Sequence, residues 1–120
     1  MASILLSEAD PDVRRLLVVL LERLGHEAIV LEGGAAAPPP ADLMLLEPAV
    51  PARLEQARKI RNQQPSLPVV CVSVLPLEAR FLTLGPLGHL TKPFTAAELD
   101  DVIEAALAPA TVADSSYCFA

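Results

Sequence analysis

Aromatic residues make up only 3% of this sequence and tryptophan is absent, so Leu, Val and Ala must fill any core. Basic residues are scarce as well: 9 Lys and Arg stand against 15 Asp and Glu, for a formal net charge of -6. Such a chain repels phosphate backbones and anionic lipid surfaces, which argues against nucleic-acid and membrane-surface binding. No apolar run approaches the ~20 residues that a membrane-spanning helix needs. The first ten residues lack the basic region of a signal peptide. The two cysteines, Cys71 and Cys118, form neither a CxxC pair nor a metal-ligand spacing. Cys71 lies within an apolar run and reads as a buried, reduced thiol. These absences together predict a soluble, cytoplasmic protein; no cofactor and no metal are expected.

What is present suits one domain. The chain has 120 residues, of which 52% are hydrophobic, enough to build a single core. Its 12 prolines are about twice the usual share of roughly 5%. They exclude a long uninterrupted coiled coil and predict sharp stops. The basic cluster Arg53, Arg58, Lys59 and Arg61 reads as the solvated face of a helix.

Strand and helix signals alternate along the chain. Ser3–Ser7 is a short apolar run, after which Asp10 can cap a helix that Pro11 opens. Val13, Leu16, Leu17, Leu20, Leu21 and Leu24 follow at helical spacing, and Gly25 supplies the left-handed stop. Ala28–Leu31 reads as the next strand. Gly33–Pro40, with two glycines and three prolines, then predicts a loop or extended segment. Leu43–Leu46 has the continuous apolar character of a strand buried on both faces. A helix follows over Pro51–Asn62, with Leu54, Ala57 and Ile60 inward.

Pro68–Val74 is the strongest strand, β-branched and apolar. Leu75–Leu84 offers at best a short helix interrupted by proline, and Gly88–Thr91 a last strand. Thr95 with Glu98 forms a capping box ahead of a stripe of Leu99, Val102, Ile103, Ala106 and Leu107. Residues 1–108 are expected to form the domain and 109–120 a flexible tail.

This order predicts an α/β domain: a doubly wound sheet of five parallel strands with helices on both faces. In such sheets the functional crevice lies at the carboxyl ends of the strands. Ser7–Asp10, Glu47–Pro48, Ser73 and Thr91–Pro93 would gather there. They bring carboxylates, a hydroxyl and an ammonium to one edge.

Three stretches then carry a likeness: Ile4–Arg14, Ala41–Pro51 and Gly88–Phe94, the last with Lys92-Pro93-Phe94 after an apolar strand. In order and spacing they resemble the receiver domain of bacterial two-component response regulators over residues 3–108. The resemblance implies the flavodoxin-like, CheY-like sandwich, here with the second helix shortened or missing because Gly33–Pro40 occupies its place. It also implies a phospho-accepting aspartate after the third strand, acidic residues after the first that help hold Mg²⁺, a Ser or Thr after the fourth and a Lys after the fifth. The chemistry requires this set, because a carboxylate attacks an anion only where cations neutralise the incoming oxygens.

Ser73 and Lys92 match that pattern, and the rest departs from it. Glu47 stands at the phospho-acceptor position, one methylene longer than aspartate. Glu8 takes the first acidic position and Ala9 the second, so a ligand oxygen is lost that a hard Mg²⁺ site can ill spare. His89 sits at the switch position, where the resemblance implies Tyr or Phe. The implied reading is a degenerate, or pseudo-receiver, domain that signals by protein–protein contact rather than as an enzyme.

Glu47 admits two roles: a built-in phosphomimic, or an ion-pair partner of Lys92. Ser73 reads as a pocket group or as a hydroxyl bonded to backbone. His89 reads as a pH-sensitive switch or as a packing residue. Glu8 and Asp10, both placed in the pocket, read as metal ligands or, in the favoured reading, as a helix cap (Asp10) beside a solvated Glu8. The expected partner is a signalling protein or a component of a histidine kinase pathway, docking by resemblance on about Leu75–Ala108; a homodimer stays open. The alternatives are a working Mg²⁺-dependent phospho-accepting receiver that regulates an output partner, and a small flavodoxin-like ligand binder. Against the ligand binder, no Gly-rich phosphate loop follows the first strand.

Overall fold

A computed structural model describes residues 2–32, 38–47, 50–73 and 88–108 of the chain. Five strands run β1 (Ser3–Ser7), β2 (Glu27–Val30), β3 (Leu43–Leu46), β4 (Val69–Ser73) and β5 (Gly88–Thr91). Three helices accompany them among the described residues: α1 (Pro11–Arg23), α2 (Pro51–Gln63) and α3 (Ala96–Leu107). The strands form one parallel sheet in the order β2-β1-β3-β4-β5. The two edge strands are therefore β2 and β5.

Side-chain alternation divides the core between the two sheet faces, as the pleat demands. Ile4 and Leu6 of β1, Leu43 and Leu45 of β3, and Val70 and Val72 of β4 pack with Leu17 and Leu21 of α1 and with Leu99, Ile103 and Ala106 of α3. On the other face Leu5, Met44, Leu46 and Val69 pack with Leu54, Ala57 and Ile60 of α2. β3 and β4 are buried at every position. Their unbroken apolar runs reflect central strands covered on both sides.

The helix ends have local causes. Asp10 Oδ1 accepts from the Asp12 and Val13 amides at 2.9 and 3.4 Å, and Pro11 needs no donor at the first helical position. At the other end of α1 the Gly25 amide donates to Glu22 O and the His26 amide to Leu21 O. That double closure needs the positive φ of 89° that Gly25 adopts. Thr95 and Glu98 form the expected reciprocal box at the start of α3.

The apolar stripe of α1 is buried only in part. Leu16 shares the helical spacing of these apolar residues, yet it is 52% exposed. Leu17 and Leu21 lie deepest, with Val13, Leu20 and Leu24 packed at their margin. Six apolar residues span more arc than the helix presents to the sheet.

Between β2 and β3 the described residues, 31–32 and 38–42, hold no helix. Residues 33–37 of the expected Gly/Pro-rich segment lie outside the described residues, as do the expected short helix within Leu75–Leu84 and the tail 109–120. No helix among the described residues is long and apolar enough to cross a membrane.

Candidate functional site

Ladder hydrogen bonds carry the sheet register into the loops that bear the polar groups. The Glu47 amide donates to Ser7 O at 2.9 Å, and the Lys92 amide donates to Ser73 O at 2.9 Å. Glu8, Glu47, Ser73 and Lys92 are thereby fixed, within a residue of a strand terminus, at the carboxyl edge of β1, β3, β4 and β5. Since β4 lies between β3 and β5, Lys92 reaches its acidic partners across the end of β4.

Lys92 Nζ contacts both acids. It donates a short hydrogen bond to Glu8 Oε1 and lies 3.3 Å from Glu47 Oε2. The three side chains are 15%, 2% and 9% exposed, so the cluster is largely shielded from water. Burial by itself would lower the Lys92 pKa. The hydrogen bond and charge of Glu8, reinforced by Glu47, outweigh burial and raise it. The ammonium is therefore the stable form in this pocket. The Lys92–Pro93 peptide bond, which comes directly after, is cis.

The expected Glu47–Lys92 pair is present, but Glu8 holds the ammonium more closely. The expectation of a solvated Glu8 is overturned: the residue is 2% exposed. Its second oxygen, Oε2, accepts the Asp10 amide at 3.2 Å. Glu8 is thus tied to the backbone beyond β1 as well as to Lys92. Asp10, expected in the pocket, is an exposed residue whose Oδ1 serves the start of α1. It does not join the ionic cluster.

Ser73 and His89 form the second half of the site. Ser73 Oγ and His89 Nε2 share a hydrogen bond of 2.8 Å, with the tautomer deciding which group donates. The Ser73 hydroxyl is therefore bonded to a side chain on the neighbouring strand. Burial lowers the His89 pKa, and the charge of Glu47 opposes that shift without reversing it. Cys71, the cross-strand neighbour of His89, is a buried free thiol. Burial, followed by the charge of Glu47, pushes its pKa up to about 12.

Arg53 corrects the reading of the basic cluster as a wholly solvated face. Its Nη1 donates to Ser7 Oγ at 3.2 Å and to Leu31 O at 3.1 Å. This ties the first turn of α2 to the carboxyl ends of β1 and β2. Arg58 behaves as expected, pairing with Glu55 on the helix surface at 3.3 Å. A local signal for Arg53 existed in the sequence. Pro51 fixes the start of α2 just after Glu47, and the first turn of such a helix overlooks the strand ends.

Three features of the described side chains weigh against a hard divalent ion. Ala9 supplies no oxygen, Glu8 Oε1 and Glu47 Oε2 both face the ammonium, and Glu8 Oε2 accepts a backbone amide. Among the described residues no group of three or more His, Cys, Asp and Glu could hold a metal.

Beside this edge, His89, Leu90, Glu98, Asp101 and Val102 line a cleft of about 260 Å³ between β5 and α3. It belongs to the surface expected to meet a partner. Residues 75–87 of that expected surface lie outside the described residues.

No protein-family model and no curated protein matches the chain. Solved structures are similar. CheY4 of Vibrio cholerae superposes with a TM-score of 0.79 at 19% identity, covering 89% of this chain and 99% of that one. The receiver domain of the sensor histidine kinase PA1611 from Pseudomonas aeruginosa was solved with a magnesium ion coordinated in its active-site cleft. It gives a TM-score of 0.72 at 22% identity, with coverage of 88% and 97%. NtrX of Brucella abortus gives 0.78 at 27% identity, covering 88% of this chain and 27% of that protein. This chain thus spans about a quarter of NtrX and nearly all of the two single-domain structures. Its fold is the CheY-like, flavodoxin-like receiver fold, with a five-stranded parallel sheet.

Proposed function

We propose that this chain is a pseudo-receiver: a signalling domain of two-component type that works by contact with another protein and takes up no phosphoryl group. The observation that carries the reading is the occupation of Lys92. In a phosphoryl-transfer site the ammonium must be available to oxygens that arrive with the donor. Here it lies between Glu8 and Glu47, two carboxyl groups of the chain itself. Glu47 stands where an aspartate nucleophile would be required, and Ala9 stands where a metal ligand would be. The Ser73 hydroxyl, the remaining donor toward a phosphoryl group, is bonded to His89.

Signalling by contact then falls to the surface of β5 and α3 with its cleft. The partner is a signalling protein, including the components of a histidine kinase pathway. In this reading the chain is not an enzyme.

The test is incubation of the full chain with acetyl phosphate over a Mg²⁺ titration, read by intact mass. No phosphorylated species is expected at any Mg²⁺ concentration. A variant carrying Ala9→Asp and Glu47→Asp, checked for folding by circular dichroism, serves as the positive comparison. A Mg²⁺-dependent phosphoryl adduct on the unaltered chain would overturn the proposal and establish a working receiver.

A further inference from the structure

The side of α1 turned away from the sheet carries a pattern that the carboxyl-edge cluster does not use. Leu16 and Val19 are 52% and 41% exposed, two of the four large apolar side chains left open among the described residues. Asp12 precedes Leu16 by four positions, Val19 follows it by three, and Arg23 lies four beyond Val19. Steps of four, three and four place all four residues on one strip of the helix, the spacing of a paired-helix seam. Arg15 and Glu22, both exposed, lie seven apart along one border of that strip, and half-buried Leu20 lies on the other. Among the described residues no ion pair engages Asp12, Arg15, Glu22 or Arg23.

We propose that this strip is where two copies of the chain dock, α1 against α1, antiparallel about a twofold axis between residues 17 and 18. The charge pattern selects both the occupant and its direction. In the antiparallel arrangement Leu16 lies opposite the partner's Val19, and Asp12 lies opposite the partner's Arg23. Arg15 meets the partner's Glu22 across the border. The twofold axis repeats each contact, so every charge on the strip meets its opposite. A parallel pair would set Asp12 on Asp12 and Arg23 on Arg23, and would leave Arg15 and Glu22 facing the partner's other border, where Val13 and Leu20 lie rather than an opposite charge. The strip is self-complementary in one orientation only, which marks a second copy of this chain as the occupant.

Size sets the strength. Thirteen residues make a helix about 20 Å long. One such pair falls below the roughly 1,200 Å² at which standard interfaces begin. The net charge of -6 also opposes association. The dimer is therefore concentration-dependent rather than obligate.

Sedimentation velocity on the full chain, from roughly 10 µM to 1 mM, tests this. The mass should rise from monomer toward dimer and not beyond. Arg15→Glu alone and Glu22→Arg alone should each weaken association at least about tenfold, because each sets like charges against each other twice. The double exchange should restore it. Leu16→Glu should hold the chain monomeric while its circular dichroism stays that of the folded domain. A monomer across the whole range, a dimer indifferent to Leu16→Glu, or a double exchange no tighter than the singles would each overturn the proposal.

Discussion

Replacing Glu8 by Gln tests the role of the ionic cluster most directly. The amide keeps the size of the side chain and an oxygen for the Asp10 N–H, so the perturbation is the loss of charge beside Lys92. Removing one partner from a fully buried pair costs about 3–5 kcal/mol, and hydrogen bonds to charged groups contribute roughly 1.5–3 kcal/mol. Lys92 is 15% exposed and keeps Glu47 at 3.3 Å, so the loss falls toward the lower range. About 2 kcal/mol is expected for Glu8→Gln and about 1 kcal/mol for Glu47→Gln. Lys92→Met leaves two carboxyl groups facing each other without the ammonium and should cost about 3 kcal/mol. The double variant Glu8→Gln with Lys92→Met should lose about 3 kcal/mol rather than the additive ~5, a coupling of about 2 kcal/mol.

Urea unfolding at pH 7 measures each loss as a shift of midpoint at unchanged slope. A second arm uses pH. Because folding raises the Lys92 pKa, its contribution is fully present below the unfolded lysine value of about 10.4. It is lost as pH rises through the higher folded value. Lys92→Met should remove that alkaline component. Additive losses, or a larger loss for Glu47→Gln than for Glu8→Gln, would refute the assignment of Glu8 as the principal partner.

Two further expectations concern the second half of the site. The folded-state pKa of His89 is lowered, so folding stability should hold above the unfolded value of about 6.5 and decline as pH falls below it. Guanidinium titrations between pH 7.5 and 5 should show that decline, and His89→Gln should lessen it; an unchanged slope would exclude His89 as its source. Cys71, with its pKa near 12, should resist alkylation at pH 8 in the folded chain and react promptly in denaturant. Mass spectrometry in a Cys118→Ser background reads this directly, and rapid native labelling would contradict the buried thiol.

Much of the architecture was legible because its causes are local. Leu43–Leu46 and Gly88–Thr91 became strands at the bounds read from the chain, each a short run set off by turn-forming residues. The Asp10 cap, the Gly25 stop and the Thr95–Glu98 box each involve groups within five residues of one another, so spacing alone predicts them. The limit of such reading shows at Leu16. Periodicity marks apolar positions, whereas the width of the buried stripe depends on how closely the sheet and α3 approach α1. The strip proposed for pairing arises in that gap between apolar character and burial.

The sequence by itself determined the kinds of element, their order, the edge at which the polar residues gather, and the departures Glu47 and Ala9. These stem from apolar period, turn chemistry and the rule that parallel strands deliver their carboxyl ends to one side. Only the tertiary structure decided the partners. Lys92 lies beyond β5, and whether it meets Glu8 or Glu47 first depends on strand order and on the distance spanned across β4. The pairing of Ser73 with His89 depends on the register of β4 against β5, which sets Ser73 beside Thr91 and Cys71 beside His89. The reach of Arg53 to Ser7 and Leu31 depends on where α2 crosses the ends of β1 and β2. Each of these contacts joins residues 16 to 84 positions apart. Local preference carries no information about such pairs, because their geometry exists only once the sheet has assembled.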